Sequence, residues 1–204
     1  GRILYALADP QRGARLTFAL GLRTLTLQTG SVYRTRLGLG TDDLAVLVGG
    51  GMANRSTRQD PKVRGPDQTA RHGITGSESA RDFMPEDSYV HYDGGLSEGV
   101  VTEWLKQARG AAALVNAPVL VCTIDHLMPA SESLRGGHQI APLLRLLSSD
   151  LTLDEPDDFG PADLYALSRL VHTAAMLGSR IVLSSATLPP AIVQGLFQAY
   201  LSGR

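Results

Sequence analysis

Two short polar strings, separated by one helix-length of chain, constrain this sequence more than anything else in it: Asp154-Glu155-Pro156-Asp157 and Ser185-Ala186-Thr187. Each follows an uncharged apolar run bounded by polar residues, Leu151 to Leu153 and Ile181 to Leu183. Runs of that kind read as strands buried on both faces of a parallel sheet. The stretch between them, Gly160 to Ser179, reads as a helix, so the three pieces make one crossover unit. Ligands of such a sheet sit beyond the carboxyl ends of its strands. Both strings therefore fall on the same edge, one offering paired acids and the other hydroxyls. That chemistry suits a nucleotide carrying Mg²⁺.

Three further strand candidates precede this unit: Leu16 to Leu20, Leu44 to Val48 and Val119 to Thr123. Helical patterns are predicted at Arg23 to Arg36, Glu98 to Arg109, Ile140 to Leu147, Pro161 to Leu177 and Pro189 to Leu201. Strands alternating with helices imply an α/β domain with a mostly parallel sheet covered on both faces. Residues 49–95 interrupt the rhythm. They are rich in Gly, Arg, Asp, Ser and Pro and read as an insertion, with a short strand at Tyr89 to Tyr92. Gly1 to Leu7 reads as the last turns of a helix ended by Asp9-Pro10. An α/β sheet rarely begins in mid-helix, so at least one strand and its loop are expected upstream.

The 204 residues are ample for one core, and a net charge of -1 supplies no global attraction to nucleic acid. Of the 19 basic residues 17 are Arg, which fits either phosphate binding or codon bias. A single cysteine, Cys122, excludes an internal disulfide and fits a reducing cytoplasm; within an apolar run it reads as a small buried hydrophobe. The longest apolar stretch, Ala111 to Ile124, is broken by Asn116 and Pro118 and is too short to span a bilayer.

A carboxylate at a strand end can hold Mg²⁺ with waters kept in its shell, which is the part given to Asp154. A neighbouring carboxylate, Glu155, can orient and deprotonate the water that attacks a γ-phosphate. Successive side chains on an extended strand point to opposite faces, so the strand must bend for both to serve one site, and Pro156 is consistent with a bend. An acidic surface turn is the plainer alternative. Ser185 and Thr187 can bond the acidic loop, or Thr187 can cap the helix opening at Pro189.

The string Asp-Glu-x-Asp followed by Ser-Ala-Thr resembles motifs II and III of superfamily-two helicases, the DEAD/DEAH kind. Three longer stretches, Phe18 to Thr29 (FALGLRTLTLQT), Val121 to His126 (VCTIDH) and Leu151 to Phe159 (LTLDEPDDF), resemble the CRISPR-associated helicase-nuclease of type I systems, subtype F. This resemblance implies the first of two RecA-like P-loop NTPase domains. It implies ATP and Mg²⁺ as cofactors, with Glu155 as base, Asp154 as the Mg²⁺ ligand, and Asp157, Ser185 and Thr187 as the groups that couple nucleotide state to movement. Arg23 and Thr24 match motif Ia, with Gln28 and Thr29 a turn further along, and Thr123 and Asp125 match the next DNA-contacting motif. Arg23 and Thr24 open a helix, where free N–H groups favour a phosphate, and such contacts bind single-stranded DNA without reading its sequence. Plainer readings stand beside these: a solvated helix residue for Arg23, and strand-end caps for Thr123 and Asp125. His126 could face solvent. Implied partners are single-stranded DNA, a guide-RNA surveillance complex and a second RecA-like domain, with no membrane.

Asp157 stands where many members of the helicase family have His. No Gly-x-x-x-x-Gly-Lys-Ser/Thr phosphate loop occurs in these residues; its expected place is just upstream of Gly1. His72, His91, His126, His138 and His172 lack metal-ligand spacing. The 204 residues alone are therefore expected not to hydrolyse ATP, for want of the Lys clamp and an opposing arginine. The alternative function is a non-hydrolysing module of helicase fold that binds nucleic acid or partner proteins.

Overall fold

The computed structural model describes residues 13–49, 89–92, 94, 110–132, 137–156 and 159–204. The helix expected at Glu98 to Arg109, the chain start at Gly1 to Leu7 and most of the 49–95 insertion lie outside them. Six strands form one sheet: β1 (Leu16–Leu20), β2 (Leu44–Val48), β3 (Tyr89–His91), β4 (Val119–Thr123), β5 (Asp150–Asp154) and β6 (Ile181–Ser184). Their order is β3-β2-β4-β1-β5-β6. Every pairing is parallel except β2 with β3, which is antiparallel. The strands fall where the apolar runs predicted them, because a two-sided parallel sheet needs apolar residues at both parities of each strand.

Helix α1 (Arg23–Leu37) covers one face, where Leu25, Leu27 and Tyr33 pack on Phe18, Leu20, Val46 and Val121. Its Gly30 is needed there, since an added Cβ would come within 2.6 Å of a Val46 methyl. The opposite face carries α2 (Ala111–Asn116), α3 (Pro129–Glu132), α4 (Ile140–Ser148) and α5 (Pro161–Met176). There Leu146, Leu167, Leu170, Val171 and Ala174 join Ala19, Cys122, Leu151 and Leu153 in the larger core. Helix α6 (Pro190–Gly203) packs on α5. The short helix α2 falls within the apolar stretch that sequence reading left without a helix. Cys122 is fully buried, its thiol pushed up to about 12 by that burial, so it packs as a hydrophobe.

A guanidinium lies inside the molecule. Arg145 of α4 has no exposed surface; its Nε donates to Thr17 Oγ1 at 2.7 Å, and its Nη groups donate to the carbonyls of Leu16 (2.6 Å), Ala117 and Pro118 (3.4 Å). Burial lowers its pKa to about 9, which still leaves it charged at neutral pH. Ser149 Oγ shares a 2.8 Å bond with Thr17 Oγ1, and the single Ser179 hydroxyl proton is shared between the carbonyls of Leu146 and Ser149, each 2.6 Å from Oγ. Arg180 grips Asp150 through Nε at 3.0 Å and Nη2 at 2.7 Å. All these residues sit at the amino ends of the strands, and together they fix the sheet register there.

Candidate functional site

The connection after β1 leads to α1 on one face, and the connection after β5 leads to α5 on the other. The carboxyl ends of β1 and β5 therefore flank a topological switch point, where open α/β sheets bind ligands. Asp154 ends β5 at this point, in register with Leu20 of β1 and Ser184 of β6. From above, α1 contributes Thr29 and Tyr33. With Phe18, Thr152, Val182, Leu183 and Ser185 these residues line a cleft of about 470 Å³. The Tyr33 ring stands edge-on to Phe18, with centroids 5.1 Å apart. Burial, and then the charge of Asp154, raise the pKa of its phenol. The Thr152 hydroxyl on the same wall is buried without a hydrogen-bond partner.

Glu155 is half-buried and supplies the expected bend. Its φ is 50°, the one non-glycine residue with positive φ among the described residues, and its N–H donates to the Ser184 carbonyl at 2.7 Å. Pro156 follows, buried. Asp157 lies outside the described residues. Beyond β6, the Ser185 hydroxyl accepts the Thr187 N–H at 3.1 Å, closing a tight turn, and the Thr187 side chain is exposed. Thr187 is not the cap of α6. That helix begins at Pro190 with Pro189 before it and no side-chain cap, because a proline ring pre-sets the first turn instead.

Along the same edge, Arg23 and Thr24 are exposed in the first turn of α1, whose preceding residue, Leu22, offers no capping side chain. Gln28 is exposed, whereas Thr29 turns into the Asp154 cleft. Thr123 is 1% exposed and its hydroxyl has no partner, so sheet covering, not solvent, meets its side chain. Asp125 is partly buried in the 3₁₀ turn after β4. Burial raises its carboxyl pKa, the nearby Arg23 charge opposes that rise, and Asp163 adds to it. His126 is 8% exposed, contrary to the solvent-facing expectation, and burial pushes it down to about 4. Phe159, last residue of the acid stretch, rests on the end of β1, where a Cβ on Gly21 would lie 3.3 Å from its ring.

The fold thus gathers Asp154, Ser185, Thr29 and Tyr33 about one cleft, with Glu155 next along the chain from Asp154 and with Arg23, Thr24 and Asp125 on the same sheet edge. Sequence reading missed Tyr33 and Thr152. Tyr33 follows Thr29 by four residues, which on a helix puts both on one face, and that spacing was the available signal. Among the described residues no three His, Cys, Asp or Glu side chains gather as a metal cage. Among the described residues, a carboxylate beside hydroxyls fits a hydrated Mg²⁺ shared with phosphates.

A six-stranded, mostly parallel sheet with helices on both faces and acids at its carboxyl edge is the RecA-like α/β class. No family model matches the chain. It is 63% identical over 204 residues to the CRISPR-associated nuclease/helicase Cas3 subtype I-F/YPEST of Pseudomonas aeruginosa, and 56% identical over 205 residues to the protein of that description from Pectobacterium atrosepticum. All of this chain matches, and it spans 18% of the length of each relative. The crystal structure of T. fusca Cas3-ATP shares the fold with a TM-score of 0.58 over 93% of this chain and 17% of that one, at 22% identity. That of T. fusca Cas3-ADP gives 0.54 at 23% identity. The resemblance read from the motif wording holds along the whole chain: it matches in sequence one segment of the two subtype I-F Cas3 relatives, and in fold one segment of T. fusca Cas3. Among the described residues no helix is long and apolar enough to cross a membrane.

Proposed function

We propose that this chain is the first RecA-like domain of an ATP-dependent motor that translocates on single-stranded DNA, coupled to a nuclease in CRISPR interference. The observation that carries this reading is the meeting of Asp154, Glu155 and Ser185 at the switch point of the sheet, on the edge that also presents Arg23 and Thr24. Support comes from the two relatives, which are nuclease/helicases of the CRISPR-associated kind, and from the T. fusca Cas3 structures solved with ATP and ADP.

In this reading Asp154 would donate a carboxylate oxygen to a hydrated Mg²⁺, which would neutralise charge on the nucleotide phosphates. Glu155 takes the proton of the attacking water. Ser185 and Thr187, with Asp157, carry the change at the phosphates toward the DNA-facing loops. Arg23 and Thr24 hold a backbone phosphate at the start of α1, where uncapped N–H groups and the helix dipole favour an anion. Gln28, Thr29, Thr123 and Asp125 belong to that same DNA-facing set. Thr29 and Thr123 act from behind the surface, in keeping with their burial. The further partners are a second RecA-like domain, which closes the nucleotide cleft, and a guide-RNA surveillance complex in the cytoplasm, which exposes the strand.

The test is single-stranded-DNA-stimulated ATP hydrolysis by the full-length protein that carries this segment, with and without Glu155→Gln. The substitution is expected to lower turnover on the order of a thousandfold while ATP binding persists, the scale of losing a catalytic base. A full-length protein that binds DNA but neither hydrolyses ATP nor responds to Glu155→Gln would be a non-hydrolysing binding module.

A further inference from the structure

We propose that the main-chain carbonyl of Ser184, at the end of β6, is the positioning group of Glu155. This rests on the reading of Glu155 as the general base. An L-residue at φ 50° is disfavoured by its own Cβ, and a residue preceding proline is pushed further toward extended conformations. Glu155 has both handicaps, since Pro156 follows it, yet it adopts the left-handed form. Its N–H reaches across to the Ser184 carbonyl at 2.7 Å, continuing the β5–β6 pairing one residue past Asp154↔Ser184 and pinning the peptide plane from which the left-handed turn departs. Continued as a strand, residue 155 would turn its side chain to the sheet face opposite Asp154. The left-handed twist redirects it while the peptide bond stays anchored. Strained backbone of this kind persists where surroundings over-determine it, and it clusters at reactive sites. Ser185, whose hydroxyl closes the turn to Thr187, is bonded directly to the anchoring residue. Movement of that turn therefore reaches the base through a single peptide unit.

Two measurements on the full-length protein test this. In the first, Ser184→Gly frees the anchoring peptide while Ser184→Ala only trims the side chain. Ser184→Gly is expected to lower kcat for ATP roughly threefold more than Ser184→Ala, with KM alike in both, because glycine keeps the anchoring carbonyl but lets its peptide wander. Equal kcat values in the two variants overturn the proposal. In the second, glycine accepts the left-handed region and alanine does not, so Glu155→Gly is expected to have a several-fold larger folding constant than Glu155→Ala. The reverse order overturns the left-handed assignment. This second measurement does not depend on activity. If Glu155→Gln retains full turnover, the general-base reading fails, whatever the Gly-to-Ala order shows about the backbone.

Discussion

The two ends of the sheet are built on opposite principles. At the amino edge, Arg145, Thr17, Ser149, Ser179 and the Arg180–Asp150 pair spend their polar groups on one another and on strand carbonyls. At the carboxyl edge, Thr123 and Thr152 keep unpartnered hydroxyls, Glu155 sits in a disfavoured backbone region, and Asp154 opens onto a cleft. Polar satisfaction stabilises, whereas polar groups left open are available for binding and chemistry. The contrast shows one sheet divided between an end that fixes the strands and an end that leaves its chemistry exposed.

The most damaging way to break this contrast is at Arg145. Arg145→Ala strips several bonds from buried carbonyls and is expected to destabilise the fold by about 4 kcal/mol, measured by urea denaturation followed by circular dichroism. A loss below about 1 kcal/mol would mean the amino edge is not the anchor. Acid gives the next largest effect, and it acts on a buried histidine at the carboxyl edge. His126 is neutral in the fold down to about 4, against an ordinary value of 6.5, so the unfolded chain takes up its proton first. Stability is full above about pH 6.5 and falls by roughly 3 kcal/mol as pH drops toward 4. His126→Leu should flatten that part of the profile, and an unchanged slope would contradict it. Gly30→Ala, which forces a methyl against Val46, is expected to cost about 2 kcal/mol, with much of it recovered in the double variant with Val46→Ala. Smallest of all, Asp154→Asn, a near-isosteric change at a half-buried cleft residue, should move stability by only about 0.5 kcal/mol. It should nevertheless remove DNA-stimulated ATP turnover from the full-length protein, and this sharpens the contrast most directly.

Strand positions followed from the apolar runs because both faces of the sheet are covered, and β1, β2 and β4 match those runs at both ends. The same property hid side-chain direction. A continuously apolar strand does not announce which parity faces α1, so the burial of Thr123 and the turning of Thr29 into the cleft depend on tertiary packing. The helix at Ala111–Asn116 was masked by composition, since Ala, Leu and Val at that length serve a strand or a helix alike. Pro156 hinted at the bend beside Asp154, but nothing in the local sequence gives a left-handed Glu155. Arg145, flanked by leucines, carries no sequence mark of its complete burial.

The antiparallel pair at the far edge bears on tolerance of chain length. Val48 and Tyr89 lie directly opposite each other, so everything between them departs from and returns to a single rung of the ladder. The entropy of closing such an excursion grows only logarithmically, each doubling of its length costing about 0.6 kcal/mol. By that contribution alone, a longer or shorter connection between Val48 and Tyr89 would change the stability of the six-stranded frame very little.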